Sequence, residues 1–151
     1  MTITPFLWFD TQAEEAMNYY LSVFKHGKAK AVHRAQGRVM SVEFELDGQP
    51  FMALNGGTPS RFTESISFFV SCETQADIDR LWTALIADGG APSRCGWLKD
   101  KFGLSWQIIP SSLGHMLSGG GDASRAGRVL NTMLQMDKLD VARLQAAYDG
   151  N

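Results

Sequence analysis

Apolar and polar positions along the chain trace one pattern twice and then change to a helical rhythm. Residues 3–9 form an apolar run rich in aromatics, broken by Thr4 and Pro5, as expected of a strand covered on both faces. Thr11 then opens a helix: it is a good N-cap, Glu14 completes a capping box and Glu15 adds charge to the first turn. Ala13, Ala16, Met17, Tyr20, Leu21 and Phe24 follow at helical spacing as one apolar face, and Gly27 supplies the stop beyond His26. Residues 28–35 read as a short mixed strand ending in a Gln36-Gly37 turn. Residues 39–46 alternate well, with Val42, Phe44 and Leu46 on one face and Glu43 and Glu45 on the other. Asp47-Gly48 is a type I′ hairpin signal, and residues 51–54 return. The order is βαβββ.

A loop dense in turn residues, 55–60, separates this unit from a second. Residues 66–72 make an apolar strand, Thr74 caps a helix with Asp77 at the capping-box position, and Ile78, Leu81, Trp82, Leu85 and Ile86 form its apolar face. Gly89-Gly90 ends the helix; strands over 93–98 and 104–109 follow, joined by a tight turn through Asp100 and Gly103. Both helices begin Thr-Gln-Ala, at 11–13 and 74–76, but aligning their apolar faces needs an offset shorter by two residues. The repeat is one of element order.

Beyond Pro110 a helical turn over 111–117, a Gly119-Gly120-Gly121 break and helices over 122–136 and 138–148 are expected. Asp122 would cap the first long helix and Asp137 or Asp140 the second. Val129, Leu130, Met133, Leu134, Leu139, Ala142 and Leu144 would face the body. The expectation is a single α+β domain over residues 1–151: tandem βαβββ units at 1–55 and 65–110, and a helical tail at 111–151.

Composition narrows the function. With 151 residues, 44% apolar and 20% charged, the chain is an ordinary globular domain. A net charge of −2 and a pI near 5.9 leave no basic stripe for a phosphate backbone, so nucleic acid is not an expected partner. No apolar run is long enough to span a bilayer, and no signal-peptide pattern stands at the start. Cys72 and Cys95 lack CxxC spacing, which fits buried free thiols in a reducing cytoplasm.

Several stretches resemble the PhnB-like branch of the vicinal-oxygen-chelate (glyoxalase, bleomycin resistance and dioxygenase) superfamily. Residues 95–110, reading Cys-Gly-Trp-Leu-Lys-Asp-Lys-Phe-Gly-Leu-Ser-Trp-Gln-Ile-Ile-Pro, look like that branch's signature. So do Leu-Trp-Phe-Asp at 7–10, Tyr-Leu-Ser-Val-Phe at 20–24 and Phe-Met-Ala-Leu-Asn-Gly-Gly at 51–57, and the segment 136–140 resembles the family's tail. The resemblance implies a curved mixed sheet around a pocket, completed as a homodimer. It also carries the family's label, 3-demethylubiquinone-9 3-methyltransferase, as an activity to be weighed against the residues.

Superfamily enzymes take metal ligands, typically His, Gln or Glu, from inward faces of the outer strands of each unit. Here the first strand offers Ile3, Pro5 and Leu7 or Phe6 and Trp8, none of them a ligand. Ser65 stands where a superfamily His would stand, and Gln107 where the metal-binding Glu would stand. His26 lies at a helix end and His115 beyond the core, while His33 remains within reach of a pocket. No metal site is expected. Trp8, Trp97, Phe102 and Trp106 are large apolar groups, three of them with an indole N–H handle, suited to an aromatic ligand; core packing is the alternative for each. Glu43 and Glu45 either line the cavity, where one would serve as a general base, or face solvent; Asp100 is either a turn residue or a second catalytic candidate. Gly119-Gly120-Gly121 follows no strand, so no S-adenosylmethionine turn is seen and no cofactor is expected. The leading expectation is a metal-independent protein binding a small hydrophobic or aromatic molecule at Trp8, His33, Ser65, Trp97, Phe102, Trp106 and Gln107. The alternative is an enzyme, either the labelled methyltransferase or a glyoxalase-type lyase or isomerase.

Overall fold

Two hairpin turns set the first sheet. Gln36 and Gly37, and again Asp47 and Gly48, take left-handed backbone conformations with φ of 50° and 75° and of 46° and 85°, the type I′ geometry whose twist matches that of antiparallel strands. In the computed structural model, which describes all of residues 1–151, these turns join β2 (Gly27–Ala35), β3 (Arg38–Leu46) and β4 (Gln49–Asn55). The first strand, β1 (Phe6–Phe9), lies parallel to β4 at the other edge, giving the order β1-β4-β3-β2. The helix between β1 and β2, α1 (Ala13–Val23), packs on one face of this sheet. Ala16, Met17 and Tyr20 of α1 bury against Leu7, Val42, Phe44, Phe51 and Ala53. Phe44 lies between Tyr20, at 6.3 Å, and Phe51, at 5.4 Å, ring centre to ring centre.

Two expectations fail here. The first strand is not covered on both faces: Leu7 and Phe9 are buried, but Phe6 and Trp8 remain 51% and 41% exposed. The Thr11–Glu14 capping box does not form either. The residue preceding α1 is Gln12, which gives no side-chain cap; the first helical N–H, that of Ala13, donates instead to Asn55 Oδ1 at 2.8 Å. Asn55 Nδ2 donates to the carbonyl of Val39 at 3.1 Å, so one amide ties α1, β3 and β4 together.

The second unit, residues 62–151, repeats the order. Strand β5 (Phe68–Cys72) runs parallel to β8 (Ser105–Pro110); β7 (Trp97–Lys99) and the two-residue β6 (Ala91–Pro92) complete the order β5-β8-β7-β6. The intervening helix, α2 (Gln75–Ile86), has the capping box the sequence promised. Thr74 Oγ1 accepts from the N–H of Asp77 and donates to Asp77 Oδ2 at 2.9 Å. Ile78, Leu81, Trp82 and Leu85 are buried. The structure is thus α+β with two mixed four-stranded sheets.

The tail belongs to this second unit. Its helices α3 (Leu113–Ser118), α4 (Ala123–Met133) and α5 (Val141–Asp149) enclose Leu113, Met116, Val129, Met136, Leu139 and Leu144 together with Ile109 of β8. Asp122 caps α4 through the N–H groups of Ser124 and Arg125, and Asp140, of the two candidates, caps α5 through Arg143. Leu130 and Leu134, expected to face the body, are instead 43% and 46% exposed, and Ala142 is exposed as well. No helix is long and apolar enough to cross a membrane.

Candidate functional site

Strand alternation divides the expected site residues between sheet faces. In the first unit, the register pairs Phe6 with Met52, Trp8 with Leu54, Ser41 with Leu54, Glu43 with Met52 and His33 with Ser41. All of these lie on the face opposite α1. The result is an apolar patch of Phe6, Trp8, Met52 and Leu54 beside a polar pair, His33 Nε2 and Glu43 Oε1, 3.2 Å apart. Glu45, on the same face, is held by Lys30 at 3.3 Å. The Trp8 indole donates to the carbonyl of Thr58 at 3.0 Å. Its ring lies so close to Gly56 that a Cβ there would stand 1.9 Å from it, which is why the loop after β4 begins with glycine.

In the second unit, Trp97 pairs with Gln107 on the face opposite α2, and Gln107 Nε2 donates to Ser67 Oγ at 2.9 Å. Phe69, 61% exposed, shares that face. Ser65 precedes β5 and bonds to Thr63, so it is Ser67, two positions on, that stands beside Gln107.

Trp106 and Asp100 are elsewhere. Trp106 alternates with Gln107 and therefore turns into the core under α2, 2% exposed, its ring 5.4 Å from that of Phe68. Asp100 is 1% exposed: Oδ1 accepts from the N–H groups of Phe102 and Leu104, and Oδ2 accepts from the Trp106 indole at 2.9 Å. Both are committed to the fold, which removes Trp106 from any pocket wall and Asp100 from general-base duty. Phe102 sits in the turn that Asp100 organises, with Lys101 Nζ 5.3 Å from its ring centre.

The donor set does not fit a divalent metal ion. His33 and Glu43 bring together one imidazole and one carboxylate, and no group of three or more His, Cys, Asp or Glu side chains converges anywhere in the chain. Gln107, set by the resemblance where a metal-binding glutamate was expected, is a neutral amide already bonded to Ser67. Gly119-Gly120-Gly121 lies between α3 and α4, with no strand leading into it.

The sequence pairs Phe6 with Trp8 as one of two possible faces of the first strand without carrying Phe6 into the expected site, and it does not single out Phe69 or Ser67.

Comparison with known proteins fits this geometry. The family model for 3-demethylubiquinone-9 3-methyltransferase matches residues 1–109. Among solved structures, the PhnB protein of Bacillus cereus is 34% identical; the match covers 73% of this chain and 99% of that one, with a TM-score of 0.67. A Pseudomonas aeruginosa protein is 21% identical over 73% of this chain and 97% of its own, with a TM-score of 0.61. A glyoxalase/bleomycin resistance protein/dioxygenase domain from a Frankia species shares the fold at 15% identity, over 73% of this chain and 96% of that one, with a TM-score of 0.53. No curated protein matches the chain. The family match ends at the close of β8, so α3 to α5, and with them the segment 136–140, lie beyond it. From its two βαβββ units to its 95–110 signature, the chain belongs to the 3-demethylubiquinone-9 3-methyltransferase family, with the PhnB protein as a relative.

Proposed function

We propose that this protein binds a small apolar or aromatic molecule, without a metal ion, on the face of its first sheet opposite α1. The observation that carries the reading is the exposure of Phe6 and Trp8, at 51% and 41%, on adjacent inward positions of one strand. Leaving two large aromatic side chains about half exposed forgoes roughly half of the about 1.5–3 kcal/mol that full burial of each contributes, a cost that a ligand on this face would recover. The His33–Glu43 pair beside them offers one hydrogen-bonding anchor for a polar substituent. The same reading takes the protein to be a cytoplasmic homodimer, as its two free cysteines and its family suggest.

Tryptophan fluorescence tests it. A panel of quinones, polycyclic aromatics and hydrophobic antibiotics should give saturable quenching in the native protein, and W8F should lose most of that signal. A flat response across the panel, or an undiminished one in W8F, would remove the reading. Native mass spectrometry of the purified protein reads the oligomer and any bound ion in one measurement.

A second reading is supported by His33 and Glu43 themselves. An imidazole 3.2 Å from a carboxylate is the geometry that orients a general base, so a lyase or isomerase acting on a carbonyl compound at this face is the alternative. Turnover of α-hydroxy- or α-ketoaldehyde adducts that E43Q abolishes would favour it over simple binding. The methyltransferase activity requires a donor site that no strand–glycine–helix turn supplies, and calorimetry with S-adenosylmethionine decides it.

A further inference from the structure

At the end of the first sheet, where β1 and β4 end and α1 begins, a cavity of about 430 Å³ opens; Gly56, against which the Trp8 ring packs, is one of its lining residues. Its walls include Asp10, Thr11, Glu14, Arg38, Val39 and Met40. Two of its charged side chains are unpaired. The Glu14 carboxylate is neutralised by Arg34, Nη2 to Oε1 at 2.6 Å. The Asp10 carboxylate and the Arg38 guanidinium are not: neither side chain has a hydrogen bond or ion pair, and they do not pair with each other although they line one cavity. Thr11, freed because the capping box does not form, also leaves its hydroxyl unused. The first N–H of α1 is already taken by Asn55, so the helix end is not the anion-binding group here.

We propose that this cavity binds a small zwitterion of the α-amino-acid class. Its carboxylate would lie on Arg38, whose planar fork suits two parallel N–H···O bonds. Its ammonium would lie on Asp10, with Thr11 as an additional acceptor, and Val39 and Met40 would take an apolar side chain. One unpaired charge of each sign, on the exposed Arg38 and the partly buried Asp10, matches a ligand of zero net charge. An acid without an amine would meet Asp10 unpaired, and an amine without an acid would meet Arg38 unpaired, each a penalty that disfavours it. The volume is within the range of small-molecule sites and accommodates a free amino acid with room for water.

The test is an NMR titration of the ¹⁵N-labelled full chain with L-methionine and L-phenylalanine, and with the single-charge analogues 3-phenylpropionate and phenethylamine. Saturable shifts are expected at the amides of Val39, Met40, Gly56 and Gly57 with the amino acids, and binding by either analogue should be weaker by about tenfold or more. R38A and D10N should each weaken amino-acid binding by a similar factor; because neither side chain is bonded in the fold, both variants should keep the wild-type melting temperature. Quenching of Trp8 by an aromatic ligand on the Phe6–Trp8 patch should persist in both, which separates this proposal from the earlier one. Three results would overturn it: no saturable shift at millimolar amino acid, equal or tighter binding of a single-charge analogue, or undiminished binding in both variants.

Discussion

Asp100 Oδ2 accepts the indole N–H of Trp106 at 2.9 Å in the core of the second unit, while Oδ1 of the same carboxylate holds the backbone N–H groups of Phe102 and Leu104. One buried carboxyl group thus closes the β7–β8 turn and fixes the largest side chain on β8. A buried carboxylate is tolerated because its lone pairs are met by N–H donors. Removing it in D100A should cost about 3 kcal/mol or more, since three donors lose their acceptor at once. D100N should fall between, because its NH₂ would face the indole donor, and W106F should cost about 2 kcal/mol. Urea denaturation of the three variants checks the order, and a D100A protein as stable as wild type would refute it.

That pair also marks where sequence reading stopped. The element order, the Gln36-Gly37 turn, the Asp47-Gly48 type I′ hairpin and the Thr74–Asp77 cap were legible because each is written in neighbouring residues. What could not be read was which way a side chain faces. Trp8 and Trp106 are both aromatic residues in apolar strands, yet one is on an open face and the other in the core, a difference set by a single step of register. Asn55 looked like one more turn residue, and its role as cap of α1 depends on a partner 42 positions away. Ser65 was two residues from the position that Ser67 holds beside Gln107. Leu130 and Leu134 fit an inward stripe as well as Val129 does, but α4 buries a narrower arc than its apolar residues cover.

The cap makes a clean contrast. If Asn55 satisfies the first N–H of α1 and also binds the Val39 carbonyl, N55A should destabilise the protein by about 1–2 kcal/mol. T11A, which the capping-box pattern would have named as the damaging change, should stay within about 0.5 kcal/mol of wild type. Thermal melts of the two variants decide between local and long-range capping.

Gln75 is the corresponding fastener for the tail. Its amide donates to Asp79 Oδ1 and to the Leu139 carbonyl, and its Oε1 accepts the N–H of Val141 at the start of α5. Q75A should therefore loosen α5 before anything else: amides in 141–149 should exchange with solvent about tenfold faster or more, while those of α1 keep their rates. Uniform acceleration throughout the second unit would mean that the tail does not open separately.

Two carboxylates, Asp79 on α2 and Asp122 in the tail, give stability a direction with pH. The Lys138 ammonium and the Gln75 amide hold Asp79 below the usual aspartate range, and the N–H groups of Arg125 and Ser124 do the same for Asp122 at the α4 cap. A lowered folded-state pKa means that the stabilisation is fully present above the unfolded value of about 3.9 and is lost as pH falls through the lower folded values. Stability should be flat in this respect above about pH 5 and decline below it. Both groups are exposed, so the contribution is small and weakened by salt. The D79N/D122N double variant should show a shallower acid-side decline in urea midpoint than wild type; an identical decline would assign acid sensitivity to other groups.

The cysteines offer a last check on burial. Cys72 ends β5 beneath α2, and desolvation, aided by the nearby Asp77 charge, pushes its thiol up to about 11. At pH 8 only about a thousandth of such a thiol is thiolate, the form that attacks a disulfide reagent. Cys95 is only half-buried, in the loop whose backbone N–H donates to the Met136 carbonyl. Native protein should therefore show one titratable thiol on the timescale of minutes, C72S should leave that rate unchanged, and C95S should nearly abolish it. Denaturant should restore reactivity at Cys72. Rapid labelling of Cys72 in the folded protein would mean that α2 and the end of β5 open far more often than their packing implies.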